Sequence, residues 1–173
     1  MNAIRYPVLA GLLLAGSSLG VQQAGETVTK QGTITEDLYL AGGTVEVRAN
    51  VQGDVFAAGG TIVIEQLVTG DVLAVGGDVT VTADVMDDVR VVGGSVALGG
   101  SIDGDAIAAG GTVRLRPDAT VGGHAWLGGG EVDVAGRIST HLRAGGGKIT
   151  ISGSIDGDVE LIAGSMRASC RLR

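Results

Sequence analysis

Hydrophobic positions along this 173-residue chain fall in pairs two residues apart, and the pairs themselves recur every 17 residues. Leu38 and Leu40 are followed at that interval by Val55 and Ala57, Val72 and Ala74, then Val89 and Val91. A second pair of rows starts at Val45 and Val47 and continues through Ile62 and Ile64, Val79 and Val81, Val96 and Leu98. A fifth row is Val51, Val68, Val85, Ile102, Val121, Ile138 and Ile155. Spacing by two is that of side chains on one side of a pleated strand, so these rows predict strands with one face inward.

Between the paired rows stand two glycines. The second of them occupies 43, 60, 77, 94, 111, 130, 147 and 164, a step of 17 throughout apart from one of 19. A unit this short cannot bury its own apolar face and must stack on its neighbours. The pattern therefore predicts an all-β fold, a single-stranded triangular β-helix of about eight 17-residue coils. At about 4.8 Å per coil the rod is roughly 40 Å long. The glycine pairs are expected at sharp corners, through positive φ or close approach of backbones. The longer step contains Arg116-Pro117-Asp118-Ala119, read as a small bulged loop because proline belongs at a corner or edge.

Composition changes this picture in few places. Glycine accounts for 32 residues, which in other chains signals disorder, but here β-branched residues are abundant and in register with the glycines. The net charge is -7 and no basic stripe with aromatics exists, which argues against a nucleic-acid partner. The lone Cys170 can form no intrachain disulfide. Arg5 followed by the apolar run from Val8 to Gly16 and the small residues Ser17, Ser18 and Gly20 is read as an export signal over residues 1–24, with cleavage possible after residue 20. The solenoid is expected over 25–173 with its last coil incomplete, in the periplasm or cell envelope. The alternative is a cytoplasmic protein held at a membrane by its N-terminal apolar segment.

Candidate chemistry is sparse. Asp37, Asp54, Asp71, Asp88, Asp105, His124, His141 and Asp158 form a row of their own, which stacks the two histidines with an aspartate on either side. Imidazole and carboxylate are competent ligands for a divalent metal. The competing reading is that the aspartates cap N–H groups at a corner and the histidines relieve like-charge repulsion. No metal site is assigned, His124 and His141 being the only candidates, and no cofactor. Left-handed acyltransferase coils favour longer turns and an excursion loop, polysaccharide-cleaving β-helices need long loops with clustered carboxylates, and no nucleophile and base stand at a meaningful spacing. No catalytic residue is assigned, and the chain is read as non-enzymatic. The outward row Tyr39, Phe56, Leu73, Arg90, Ile107, Trp126, Arg143 and Glu160, flanked by small aliphatic residues, predicts an apolar strip along the rod. Within it Tyr39, Phe56, Leu73, Ile107 and Trp126 are the expected interaction face.

The tandem pattern from Val51 to Ile64, repeated from Val68 to Val81, resembles the bactofilin-type polymer-forming cytoskeletal proteins, over about residues 28 to 168. That resemblance implies a right-handed triangular β-helix joining end to end into nonpolar filaments, often with membrane and cell-wall enzymes. The signal-like start departs from the cytoplasmic members and is closer to exported relatives. The expected function is a structural or scaffold element of the bacterial envelope, self-assembling through its ends or its apolar side. The alternative is a monomeric binding module that docks an envelope protein or membrane surface through that side.

Overall fold

The computed structural model describes residues 21–169 and 171–172. The expected export signal with Arg5, apart from its last four residues, and the lone Cys170 lie outside the described residues. All regular structure described is β. The longer strands are β1 (Val21–Ile34), β2 (Leu38–Val51), β3 (Val55–Ile64), β4 (Val72–Val81) and β5 (Val89–Leu98). In the second half long strands alternate with short ones: β6 (Ser101–Ile102), β7 (Ala106–Leu115), β8 (Thr120–Val121), β9 (Ala125–Val134) and β10 (Arg137–Ile138). The series closes with β11 (Leu142–Ile151), β12 (Ser154–Ile155), β13 (Val159–Ala168) and β14 (Arg171–Leu172).

The long strands form one nine-stranded parallel sheet in the order β1-β2-β3-β4-β5-β7-β9-β11-β13, and the short ones a five-stranded sheet from β6 to β14. Each strand pairs with the one a full repeat ahead: Leu38 lies against Val55, Val55 against Val72 and Val72 against Val89. Across the proline-containing turn the offset becomes 19, Ala106 against Ala125, so the insertion bulges outward without disturbing register. This is a β-solenoid. Two long walls meet at the glycine pairs, and the short strands, preceded by single bridges such as Val51 to Val68, make the third side.

The five sequence rows are its interior. Leu38, Ile62, Ile64, Leu98, Ile102 and Leu115 are all 0–1% exposed, and no described polar side chain is buried. Parallel strands stacked in register leave backbone groups satisfied by the next coil even at corners, where the Leu38 N–H donates to the Asp54 carbonyl at 2.8 Å and the Val55 N–H to the Asp71 carbonyl at 2.8 Å. A sixth row, with buried Ala49, Ala83 and Ala119, escaped the hydrophobic pattern because exposed Gln66 and the glycines Gly100, Gly136 and Gly153 interrupt it. At its Gly100, φ is +71° and an added Cβ would lie 2.5 Å from the Ala83 carbonyl oxygen.

One expectation is corrected and another narrowed. The coils number about nine rather than eight, because β1 adds a turn whose glycine pair is reduced to Gly25-Glu26 and whose inward positions include Gln23 and Lys30. Strand pairing begins at Val21. The glycine pairs, expected to offer either positive φ or close approach, use only the second: among the described residues positive φ occurs at Gly32 and Gly100 alone, outside those pairs. The pairs lie within continuous strands, where a Cβ on Gly59 would sit 2.5 Å from the Gly42 carbonyl oxygen. In the last turn the inward rows lose their cover, leaving Val159 and Leu161 half-buried and Met166 60% exposed.

Candidate functional site: an apolar wall beside an aspartate ladder

The wall between the aspartate corner and the glycine pair carries the predicted interaction face. Alternation fixes its geometry. In β2 to β5 the inward residues of each strand are buried, so the residue between them and the one before the glycines must point out. The outward residues come into register from coil to coil: Tyr39 lies against Phe56, Phe56 against Leu73, Ile107 against Trp126. The Tyr39 and Phe56 rings stack, with centroids 4.7 Å apart and planes 2° from parallel. Leu73, Val75, Val92, Ile107, Trp126 and Ile162 are exposed along the same wall.

Charges on this wall are matched within the chain. Arg90 donates through Nη1 to Asp71 Oδ2 at 2.8 Å and through Nη2 to Asp88 Oδ2 at 2.5 Å. The hydrogen bond to Asp71 is the main cause that holds the guanidinium pKa above its ordinary value. Arg143 donates to Glu160 Oε1 at 3.0 Å. Between Ile107, Trp126, Arg143 and Ile162 the wall dips into a shallow apolar depression floored by Gly128 and Gly145.

Along the corner beside this wall the aspartate row is a ladder. Asp37 Oδ1 accepts the Asp54 N–H at 3.1 Å, Asp54 that of Asp71 at 2.9 Å, Asp71 that of Asp88 at 3.1 Å, and Asp88 that of Asp105 at 2.7 Å. Asp105 Oδ1 takes the His124 N–H at 2.7 Å and ends the series. A short side chain one position ahead of the strand reaches the donor of the coil above, which is why aspartate recurs here.

His124 and His141 do stack, with ring centroids 5.0 Å apart. His124 Nδ1 lies 3.3 Å from the Thr140 hydroxyl and its ring 5.5 Å from that of Trp126, while His141 Nε2 is 3.3 Å from Asp158 Oδ2. Among the described residues the group whose potential metal-ligating atoms converge is Asp71, Asp87 and Asp88, not the histidines. Two of those three carboxylates already hold Arg90.

The opposite long wall is polar and tied across coils by ion pairs, Arg48 to Glu65 at 3.1 Å and Lys148 to Glu131 at 2.6 Å. The Lys148 ammonium holds the Glu131 carboxyl below the usual carboxylate range. Sequence reasoning missed the Arg90 bridge, which depends on contacts between coils, and the polar Gln23 and Lys30 at the first turn, which lacks the glycine pair. No helix among the described residues is long and apolar enough to cross a membrane. Comparison with family models, with curated proteins and with solved structures finds no match to this chain.

Proposed function

We propose that this protein is a non-enzymatic structural element of a bacterial cell envelope, a rigid β-solenoid rod that assembles with copies of itself through its apolar wall or its ends. The observation that carries the reading is the wall: a continuous band of exposed Leu73, Val75, Val92, Ile107, Trp126 and Ile162 on a scaffold whose other long wall is polar. Contiguous apolar patches beyond a few hundred Å² mark contact surfaces in soluble chains. The last described turn adds a second apolar surface, where Val159, Leu161, Ala163 and Met166 surround an open depression beside the unpaired edge of β13.

Export through the N-terminal segment and kinship with bactofilin-type polymers belong to the same proposal. They rest on the charged and apolar start of the chain and on coil length with glycine–aspartate punctuation. A monomeric module docking an envelope protein or membrane surface would use the same wall, and the depression at Trp126 favours that second reading. Concentration dependence separates the two, since a scaffold grows and a module does not. In light scattering on the purified chain, Phe56→Asp is expected to reduce association while leaving the β circular-dichroism signal intact. Association unchanged by that charge would remove the wall from the account.

A further inference from the structure

The two outward rows of the apolar wall are unequal in size on four of its strands. Tyr39 stands beside Ala41, Phe56 beside Ala58 and Trp126 beside Gly128 on the same strands. On those strands and on β7, where Ile107 stands beside Ala109, one row is a ridge and the other a groove, whereas on β4, β5 and β13 the second row carries exposed Val75, Val92 and Ile162. The groove is deepest at Gly128 and Gly145, and these glycines are not required by the backbone, since a Cβ on either would meet nothing within 4 Å. By contrast, a Cβ on Gly59 in the corner pair would collide with a carbonyl.

We propose that the wall binds the same wall of a second copy, with the two rods parallel and related by a two-fold axis along their length. This inference rests on the reading of the wall as an assembly surface. Rotation about that axis keeps each coil opposite its own counterpart and reverses the strand direction. On β2, β3, β7 and β9 each ridge residue then faces the partner's small residue of the same coil: Trp126 enters the space above Gly128, and Phe56 that above Ala58, while Leu73 meets the partner's Val75 in apolar contact. With the rods antiparallel and the axis along the strands, ridge would face ridge and groove would face groove, leaving voids.

Charge selects the same arrangement. The aspartate ladder edges the wall about 10 Å from the proposed axis, at about 3.3 Å per residue, so parallel rods hold the two ladders about 20 Å apart. In the antiparallel arrangement they would oppose each other across roughly 10 Å, the usual spacing of packed sheets and close to one Debye length. Within the wall Arg90 and Arg143 are matched by Asp71, Asp88 and Glu160 of their own chain, so no charged partner is called for. An anionic lipid surface would meet the ladder and a chain of net charge -7. A strip about 40 Å by about 10 Å buries roughly 800 Å² over both copies, below the roughly 1,200 Å² of a stable interface. The dimer is therefore weak and strongly concentration-dependent.

The test is disulfide capture in a Cys170→Ser background. Ile107→Cys with Ala109→Cys places a thiol on the ridge and another in the groove of one coil. Two positions apart on one strand face, these thiols are beyond the roughly 4 Å Cβ separation of a disulfide within the chain. Parallel rods bring residue 107 of each copy against residue 109 of the other, and oxidised glutathione is expected to give a covalent dimer. Val75→Cys with Ala109→Cys, opposed only when the rods are antiparallel about the fifth coil, is expected to stay monomeric. In sedimentation equilibrium Gly128→Leu, which fills the groove and leaves the thermal melt unchanged, is expected to weaken the dimer at least about tenfold. Wall-dependent association without capture of the first pair, or with capture of the second, overturns the parallel dimer and spares the assembly reading. Absence of association up to submillimolar chain overturns both.

Discussion

Asp54 shows how one residue type serves this fold. Its carboxylate accepts the backbone N–H of Asp71 in the next coil, while its own N–H is held by Asp37. Asp54→Ala leaves a half-buried donor without a partner, and is expected to lower stability by about 1–2 kcal/mol in chemical denaturation. Asp54→Asn keeps an acceptor in place and is expected to lose less; equal losses would mean that charge, not the hydrogen bond, matters. The row was legible in the sequence as an aspartate every 17 residues, but Arg90 bridging Asp71 and Asp88 was not, because nothing in spacing shows which way a long side chain leans. Glu131 gives a pH prediction. Its pKa is depressed by Lys148, so the pair stabilises the folded chain above the ordinary carboxylate value of 4.5, and that contribution is lost as pH falls through the lower folded value. The melting temperatures of wild type and Lys148→Ala are expected to differ slightly at neutral pH and to converge in acid, and also in about 1 M salt, where screening is short-ranged.

At the scale of the strand, the hydrophobic rows were readable because each coil repeats the same inward positions and the interior admits nothing else. Ile62 is fully buried in the second wall, and Ile62→Ala is expected to cost about 2–5 kcal/mol, measured by thermal or chemical unfolding. Less than about 1 kcal/mol would indicate a loosely packed interior. The bend between walls depends on carbonyl oxygens lying beneath the glycines, so Gly59→Ala is expected to destabilise by about 1–3 kcal/mol even though its φ lies outside the left-handed region. The first coil was not legible. Gln23 and Lys30 take inward positions at the first described turn, where among the described residues one side of the interior has no coil against it and a polar group keeps access to water. A charge there also discourages pairing at that edge. The alanine and glycine row through Ala49, Ala83 and Gly100 carries too little hydrophobic contrast to register as core.

At the scale of the molecule, stacking one unit about nine times turns any local asymmetry into a line. The aspartates become an acidic corner, the alternating ion pairs a polar wall, and the outward apolar residues a band along the rod. The band was legible because strand alternation assigns every residue a side; the open space above Gly128 and Gly145 was not, because it emerges only in three dimensions. The first and last described turns differ as well, with Gln23 and Lys30 in inward positions at one and exposed Met166 at the other. The proposed function is that a rod with such an apolar wall assembles with copies of itself. The most direct test of that claim is light scattering with negative-stain microscopy on the purified chain across a concentration series. The account predicts a mass that rises with concentration and paired or longer rods on the grid; a monomer roughly 40 Å long at every concentration would contradict it.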